Sequence, residues 1–70
     1  MKLKKGRRYR LFFRKRSPCN RTFHVRAVVD KDWYAVREWS HDRRCWLYTL
    51  EHVSFMEMME KLGALAALAG

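Results

Sequence analysis

The 70-residue sequence is poor in the features that support disulfide frameworks, phosphate loops and membrane spans. Two cysteines are too few for a disulfide framework, and three scattered glycines form no glycine-rich phosphate loop. No apolar run approaches the roughly 18 residues that a membrane-spanning helix needs. The basic start leads into an apolar run too short for a secretory signal peptide. We therefore expect a cytoplasmic protein with both thiols free and no membrane partner.

Acidic residues are absent from the first 26 residues, which hold eleven of the sixteen lysines and arginines. The rest of the chain holds five basic and seven acidic residues, a net charge of −2, so the first third supplies the whole +9 excess. Such asymmetry is typical of segments that contact phosphates or another anionic surface. We predict a basic arm over residues 1–20, either partly flexible or adding an edge strand, and a single domain over residues 21–68.

The sequence also lacks the patterns of a catalytic site. It has no nucleophile elbow and no acidic pair in an apolar setting. A chain this short buries only about 60% of the surface of its unfolded form, which leaves little room for a deep substrate pocket. We predict a protein that is not an enzyme and has no cofactor and no metal. One alternative is a zinc site with looser spacings than a zinc finger, and its ligands would be Cys19, His24, His41 and Cys45.

Hydrophobic residues make up 49% of the chain. In three short runs they alternate with polar residues. Residues 23–29 and 33–39 flank Asp30-Lys31-Asp32 as a hairpin, and residues 45–51 follow a turn over residues 40–44. These runs predict a three-stranded antiparallel meander. A fourth strand is an option because residues 8–14 also alternate.

A helix is predicted after the third strand. Ser54 and Glu57 have the spacing of a capping box, and Val53 with Met58 fits a hydrophobic staple. One apolar stripe follows at helical spacing, and Gly63 is positioned to end the helix early. The stripe consists of Phe55, Met59, Leu62 and Ala66. The predicted fold is thus α+β, a three-stranded or four-stranded meander packed on one C-terminal helix with a basic N-terminal arm.

Strand alternation assigns side chains to two faces of the meander. The face expected beneath the helix holds Phe23, Val25, Ala27, Val29, Tyr34, Val36, Trp46, Tyr48 and Leu50. The opposite face is expected to hold His24, Arg26, Val28, Trp33, Ala35, Arg37, Trp39, Leu47 and Thr49. No second helix remains to cover this second face, which is half basic and half aromatic.

An uncovered basic and aromatic face beside a basic arm favours nucleic acid as the partner. A sheet can enter the DNA major groove, where arginine reads guanine, or its aromatic rings can stack on unpaired bases. We predict binding of nucleic acid, DNA rather than RNA. The predicted contact residues are Lys4, Lys5, Arg7, Arg8, Arg10, Arg14, Lys15, Arg16, Arg26, Trp33, Arg37 and Trp39.

Two other interpretations involve protein partners. Tryptophan and arginine are enriched at binding hot spots, so the same face could dock on a protein. The helix carries more apolar side chains than a small sheet can cover, which leaves a homodimer through the helix open. The residues in question are Met56, Met58, Met59, Leu65 and Leu68.

The meander, with Trp33-Tyr34-Ala35-Val36-Arg37 in its second strand and a closing helix, resembles the arm-site DNA-binding domain of phage-type tyrosine integrases. The resemblance covers roughly residues 21–66. It implies a sheet placed in the major groove, with Arg26, Arg37 and Trp39 facing the bases.

The segments 24–30, 36–39 and 46–48 are also similar to small proteins encoded by bacterial viruses. This second resemblance implies a phage or prophage source and action inside a bacterial host cell. Small phage proteins commonly inhibit or adapt a host protein such as a polymerase or a defence complex. The alternative function is therefore a phage-encoded inhibitor or adaptor that binds a host protein.

Overall fold

A computed structural model describes residues 2–68, which form one antiparallel sheet and one helix. The predicted α+β class is confirmed, but the sheet has five strands rather than three or four. The strand order is β4-β3-β2-β1-β5, so β4 and β5 are the edges. In chain order the elements are β1 (Arg8–Leu11), β2 (Arg21–Val29), β3 (Trp33–Ser40), β4 (Cys45–His52), α1 (Val53–Lys61) and β5 (Leu65–Ala67).

The N-terminal segment lies against the domain instead of extending from it. Leu3 is buried, and its amide donates to the Tyr34 hydroxyl at 3.3 Å. The Lys4 amide donates to the Tyr9 hydroxyl at 2.8 Å. Strand β1 has β2 on one side and β5 on the other, so it is an internal strand and not the predicted edge strand. The first half of the predicted arm over residues 1–20 therefore belongs to the fold.

The β2–β3 hairpin has a three-residue loop and a bulge. Asp30 and Lys31 have positive φ values of 52° and 65°, as the central residues of a type I′ turn do. Val29 pairs with Trp33, and the register then shifts between Val25 and Ala27. Because a bulge inserts one extra residue, it moves the residues on its two sides to opposite faces.

The bulge explains which predicted core positions are correct. Phe23, Val25, Tyr34 and Val36 are buried on the helix side, as predicted. Ala27 and Val29 were predicted there but pair with Ala35 and Trp33 on the opposite face, and Val28 lies on the helix side instead.

The side chains of β4 point to the opposite faces of the sheet from those predicted. Ser40 pairs with Cys45, so the connecting turn has four residues, whereas the sequence suggested a five-residue turn over residues 40–44. A one-residue change of register moves every side chain to the other face. The side chains predicted beneath the helix therefore lie on the uncovered face, and these are Trp46, Tyr48 and Leu50. Leu47 and Thr49 lie on the helix side.

Helix α1 begins earlier than the capping-box pattern predicted. The N-cap is His52, whose Nδ1 accepts from the Ser54 amide at 3.1 Å. Ser54 is therefore inside the helix, and the Ser54–Glu57 capping box is wrong. Val53 packs against the core, but Met58 is 52% exposed, so the predicted staple does not form.

The helix ends at Lys61 with Leu62 as its C-cap, and Gly63 follows directly, so the early end that the sequence predicted at this glycine is confirmed. Gly63 has a φ of 72° and donates to the Glu60 carbonyl, while Ala64 donates to the Met59 carbonyl, both at 2.9 Å. This pattern is a Schellman motif. The chain then enters β5, where Leu65 pairs with Leu11 in the sheet.

The core lies between the helix and one face of the sheet. Met56 and Met59 are the buried helical residues, whereas Leu62 of the predicted stripe is 67% exposed. The main buried cluster is Leu3, Tyr9, Leu11, Phe23, Val25, Tyr34, Val36, Met56, Met59 and Leu65. Within residues 2–68, no helix is long and apolar enough to cross a membrane.

Candidate nucleic-acid interface

The sheet face opposite the helix, called here the open face, is defined by the strand registers. The strand residues on this face are Arg8, Arg10, Thr22, His24, Ala27, Val29, Trp33, Ala35, Arg37, Trp39, Trp46, Tyr48, Leu50, His52 and Ala66. None of these strand positions holds Asp or Glu. The open face therefore combines cations and aromatic rings without an acidic side chain.

The strand carboxylates lie on the helix side. Glu38 and Glu51 both face Arg21, with Arg21 nitrogens 3.6 Å and 2.5 Å from their respective Oε1 atoms. Alternation along β2, β3 and β4 places these three residues together. The strands thus neutralise a helix-side arginine with two glutamates.

A row of cationic and imidazole side chains crosses the open face. Arg8 on β1 is the register partner of His24 on β2, and His24 is the partner of Arg37 on β3. Directly opposed residues on neighbouring strands have Cβ atoms about 4.5–5.5 Å apart. The row therefore places Arg8 and Arg37 on the two sides of His24.

His24 responds electrostatically to these neighbours. Its pKa is lowered from the ordinary value of 6.5, first because partial burial disfavours the charged ring. The positive charges of Arg37, Arg8 and Arg26 lower the pKa further, in that order. Arg26 is the bulge residue of β2, so its charge lies close to the same row.

Arg37 is held in place by aromatic side chains of β4. Its guanidinium carbon lies 4.0 Å from the centre of the Trp46 ring, a cation–π contact. Its Nη1 lies 3.5 Å from the Tyr48 hydroxyl, and its Nε is buried without a hydrogen-bond partner. A second stack of this type places Arg10 4.5 Å from the centre of the Phe12 ring.

Two aromatic pairs flank the cationic row. Trp39 and Trp46 meet edge to face with ring centres 5.3 Å apart, and Trp33 and His52 do so at 4.9 Å. Trp33 is 40% exposed and Trp39 is 43% exposed, so both rings present surface to solvent. The two tryptophans therefore point outward, as predicted.

A recess lies beside the first aromatic pair, where β2 and β3 separate. Their ladder has its last pair at His24 and Arg37, although β2 starts at Arg21 and β3 continues to Ser40. The recess at this point opens between the two faces, and the Arg21–Glu38 ion pair of the helix side reaches it; its lining residues are Asn20, Arg21, Thr22, His24, Glu38, Trp39, His41 and Trp46. It offers aromatic and hydrogen-bonding groups side by side.

The structure brings some of the predicted contact residues together and separates others. Arg8, Arg10, Trp33, Arg37 and Trp39 lie on the open face, and Arg26 lies at its bulge. The others are exposed in the turn before β1 or in the β1–β2 loop, and they are Lys4, Lys5, Arg7, Arg14, Lys15 and Arg16.

The contact prediction lacked three residues that complete the open-face cluster, namely His24, Trp46 and Tyr48. Trp46 and Tyr48 were placed in the core because the turn before β4 was taken as one residue too long. The length of that turn is the signal that could have found them. His24 was placed on the correct face, but a lone histidine carries no signal for a cluster of arginines.

The alternative zinc set is not assembled in the described part of the chain. Nowhere in residues 2–68 do three or more His, Cys, Asp or Glu side chains come close enough to share a metal ion. Cys19 and Cys45 are both exposed free thiols.

Comparison of the chain with protein-family models, with curated proteins and with solved structures gives no match. The chemistry of the open-face residues is therefore the basis for a functional assignment.

Proposed function

We propose that this protein binds single-stranded nucleic acid through the open face. The observation that carries the proposal is the union of exposed tryptophan rings with arginines on a face whose strand positions hold no acidic side chain. Aromatic rings can stack on unpaired bases, and arginines can contact the phosphates between them. Neither contact requires a deep pocket or a catalytic group.

The width of the sheet favours single strands over duplex DNA. Neighbouring strands lie about 4.8 Å apart, so the five strands span roughly 19 Å from first to last. The major groove of B-DNA is only about 12 Å wide. A three-stranded sheet of roughly 10 Å, as in the integrase resemblance, would fit face-on. A five-stranded sheet is too wide to enter this groove face-on, so we propose an unpaired strand, not duplex DNA, as the ligand of the open face.

Each part of the open face has a distinct role in this proposal. Trp33 and Trp39 offer ring surface for bases, and the recess between β2 and β3 takes an unstacked base against Trp46. Arg10 and Arg37 are already oriented by their ring contacts, which lowers the entropy lost when they engage a phosphate.

Fluorescence anisotropy tests the proposal directly. Labelled single-stranded DNA and RNA of about 12 nucleotides should bind with micromolar or tighter Kd, and at least tenfold more tightly than a duplex of equal length. Binding should weaken with salt, with a log–log slope of about −0.7 for each phosphate neutralised. Equal or tighter binding of the duplex would overturn the single-strand proposal, and no binding at low salt would overturn the function. The DNA and RNA arms decide between the two polymers.

One observation favours a protein partner as the second candidate. Strand β4 is an edge strand of eight residues with no Lys, Arg or Pro, and its Tyr48 and Leu50 are 64% and 56% exposed. Edges of this type accept an added strand from another chain unless charges or prolines protect them. A Leu50→Lys variant would protect the edge, so it should abolish capture of a protein partner and leave oligonucleotide affinity unchanged or slightly higher.

A further inference from the structure

We propose that Arg8, His24 and Arg37 form a seat for one phosphate group of the bound strand, with His24 at its centre. This inference rests on the proposed function, since the phosphate belongs to the nucleic acid. It goes further by assigning a single anion to a definite position on the open face and by making its binding depend on pH.

The strand register brings Arg8, His24 and Arg37 together. The three residues are consecutive register partners on β1, β2 and β3, so their side chains leave the sheet side by side. A phosphate has several acceptor oxygens, and guanidinium groups bind such oxygens through charge-assisted hydrogen bonds. Two arginines on either side of an imidazole therefore offer donors around one anion.

The charges around His24 also favour an anion at this position. The nearby cations are Arg7 before β1, Arg8 on β1, Arg26 on β2 and Arg37 on β3, while Trp46 and Tyr48 on β4 are neutral. Among the described residues, Glu38 is the carboxylate that lines a recess with His24, and its Oε1 lies 3.6 Å from an Arg21 nitrogen. A phosphodiester group carries one negative charge, so these cations would attract it, and its charge would oppose their lowering of the pKa of His24.

The Trp46 ring orients two of these side chains. The His24 ring packs edge to face on Trp46 at 5.3 Å, and the Arg37 guanidinium lies over the same ring at 4.0 Å. One tryptophan thus positions both groups. The Arg37 Nε is buried and Nη1 already lies 3.5 Å from the Tyr48 hydroxyl, which leaves Nη2 and the second Nη1 hydrogen as the donors for an external anion.

The seat predicts coupled proton and phosphate binding. An anion beside His24 favours the charged ring and raises its pKa in the complex. The complex therefore takes up a proton between the pKa of the unbound protein, below 6.5, and the higher pKa of the complex. Affinity should rise as pH falls through this window and become constant below it.

NMR of the histidine rings tests the seat on the full chain, with a His24→Gln variant to assign the signal. Oligothymidylate of about eight nucleotides should raise the pKa of His24, and its affinity should be severalfold higher at pH 5.5 than at pH 7.5. A strand with uncharged methylphosphonate linkages should leave the pKa unchanged. The His24→Gln variant should still bind but lose the pH dependence.

His41 supplies the matched control, because it lines the neighbouring recess but lies on the β3–β4 turn outside the row. A His41→Gln variant should keep the pH dependence of affinity. Loss of that pH dependence in the His41→Gln variant would overturn the seat. If oligothymidylate binds without changing the pKa of His24, the seat is wrong and the proposed function stands. If oligothymidylate does not bind, a titration with inorganic phosphate still decides: a raised pKa of His24 supports the seat alone, and an unchanged one overturns it.

Discussion

The two faces of the sheet each carry a central arginine, and the two arginines have opposite surroundings. On the helix side, Arg21 lies between the carboxylates of Glu38 and Glu51. On the open face, Arg37 contacts the Trp46 ring and the Tyr48 hydroxyl. Both faces belong to the same five-stranded sheet, so the difference arises from the alternation of side chains along the strands. Arg21 is neutralised within the chain, whereas Arg37 has no ion-pair partner among residues 2–68.

The largest expected difference between the faces is in stability. Replacing Phe23, which is 1% exposed, with alanine should cost about 3–5 kcal/mol of unfolding free energy. Replacing Trp39 with alanine should cost far less, because its ring is 43% exposed. Urea unfolding followed by circular dichroism measures both. A Trp39→Ala loss as large as that of Phe23→Ala would mean that the open face is part of the core.

A binding comparison of two aromatic residues of the open face, Trp46 and Tyr48, is next in size. Trp46→Ala should weaken single-strand binding by about 1–3 kcal/mol, because it removes a stacking ring and the support of Arg37. Tyr48→Phe keeps the ring and removes only the hydroxyl, so its effect should be small. Anisotropy at fixed salt measures both variants. Unchanged affinity in Trp46→Ala would place the nucleic acid elsewhere.

The two arginines provide a direct test of the comparison. Arg37→Gln should weaken binding about tenfold and lower the magnitude of the salt slope by about 0.7, the value for one lost phosphate contact. Arg21→Gln should change affinity and slope much less, because Arg21 is paired with Glu38 and Glu51 and reaches only the end of the recess. The Arg21 variant should instead lose about 1 kcal/mol of stability, since its two glutamates are left without a cation. Equal binding losses in the two variants would show that net charge alone governs binding.

The sequence predicts the strands and the helix because alternation and β-branched residues mark them locally. It does not predict the faces of β4, since these depend on whether Ser40 belongs to the strand or to the turn. The sequence does not predict the bulge at Arg26 either, because a bulge requires no particular residue type at that position. Strand β5 was missed because an alanine-rich segment has helical propensity, and only its pairing with β1 makes it extended.

The residues of the candidate site also divide into those that local patterns predict and those that depend on strand register. Arg37, Trp33 and Trp39 were predicted because β3 alternates without interruption. Trp46 and Tyr48 could not be added without the correct turn length, and the row at His24 depends on the β1–β2 register. That register joins residues separated by a long loop, and local sequence patterns do not encode such pairings. Clusters of this type become visible only when the sheet is assembled.

The smallest expected effect is the pH dependence of stability in the unbound protein. Because the folded pKa of His24 lies below 6.5, the unfolded chain binds more protons than the folded chain below that pH. Stability should therefore fall as pH decreases from 6.5 and become constant below the folded pKa, with no contribution above about pH 7.5. Urea unfolding at pH 7.5, 6.5 and 5.5 should show a smaller decrease for His24→Gln than for the wild type. Identical decreases would mean that neither partial burial nor the neighbouring arginines lower the pKa of His24 in the folded chain, contrary to the expectation for this row of the open face.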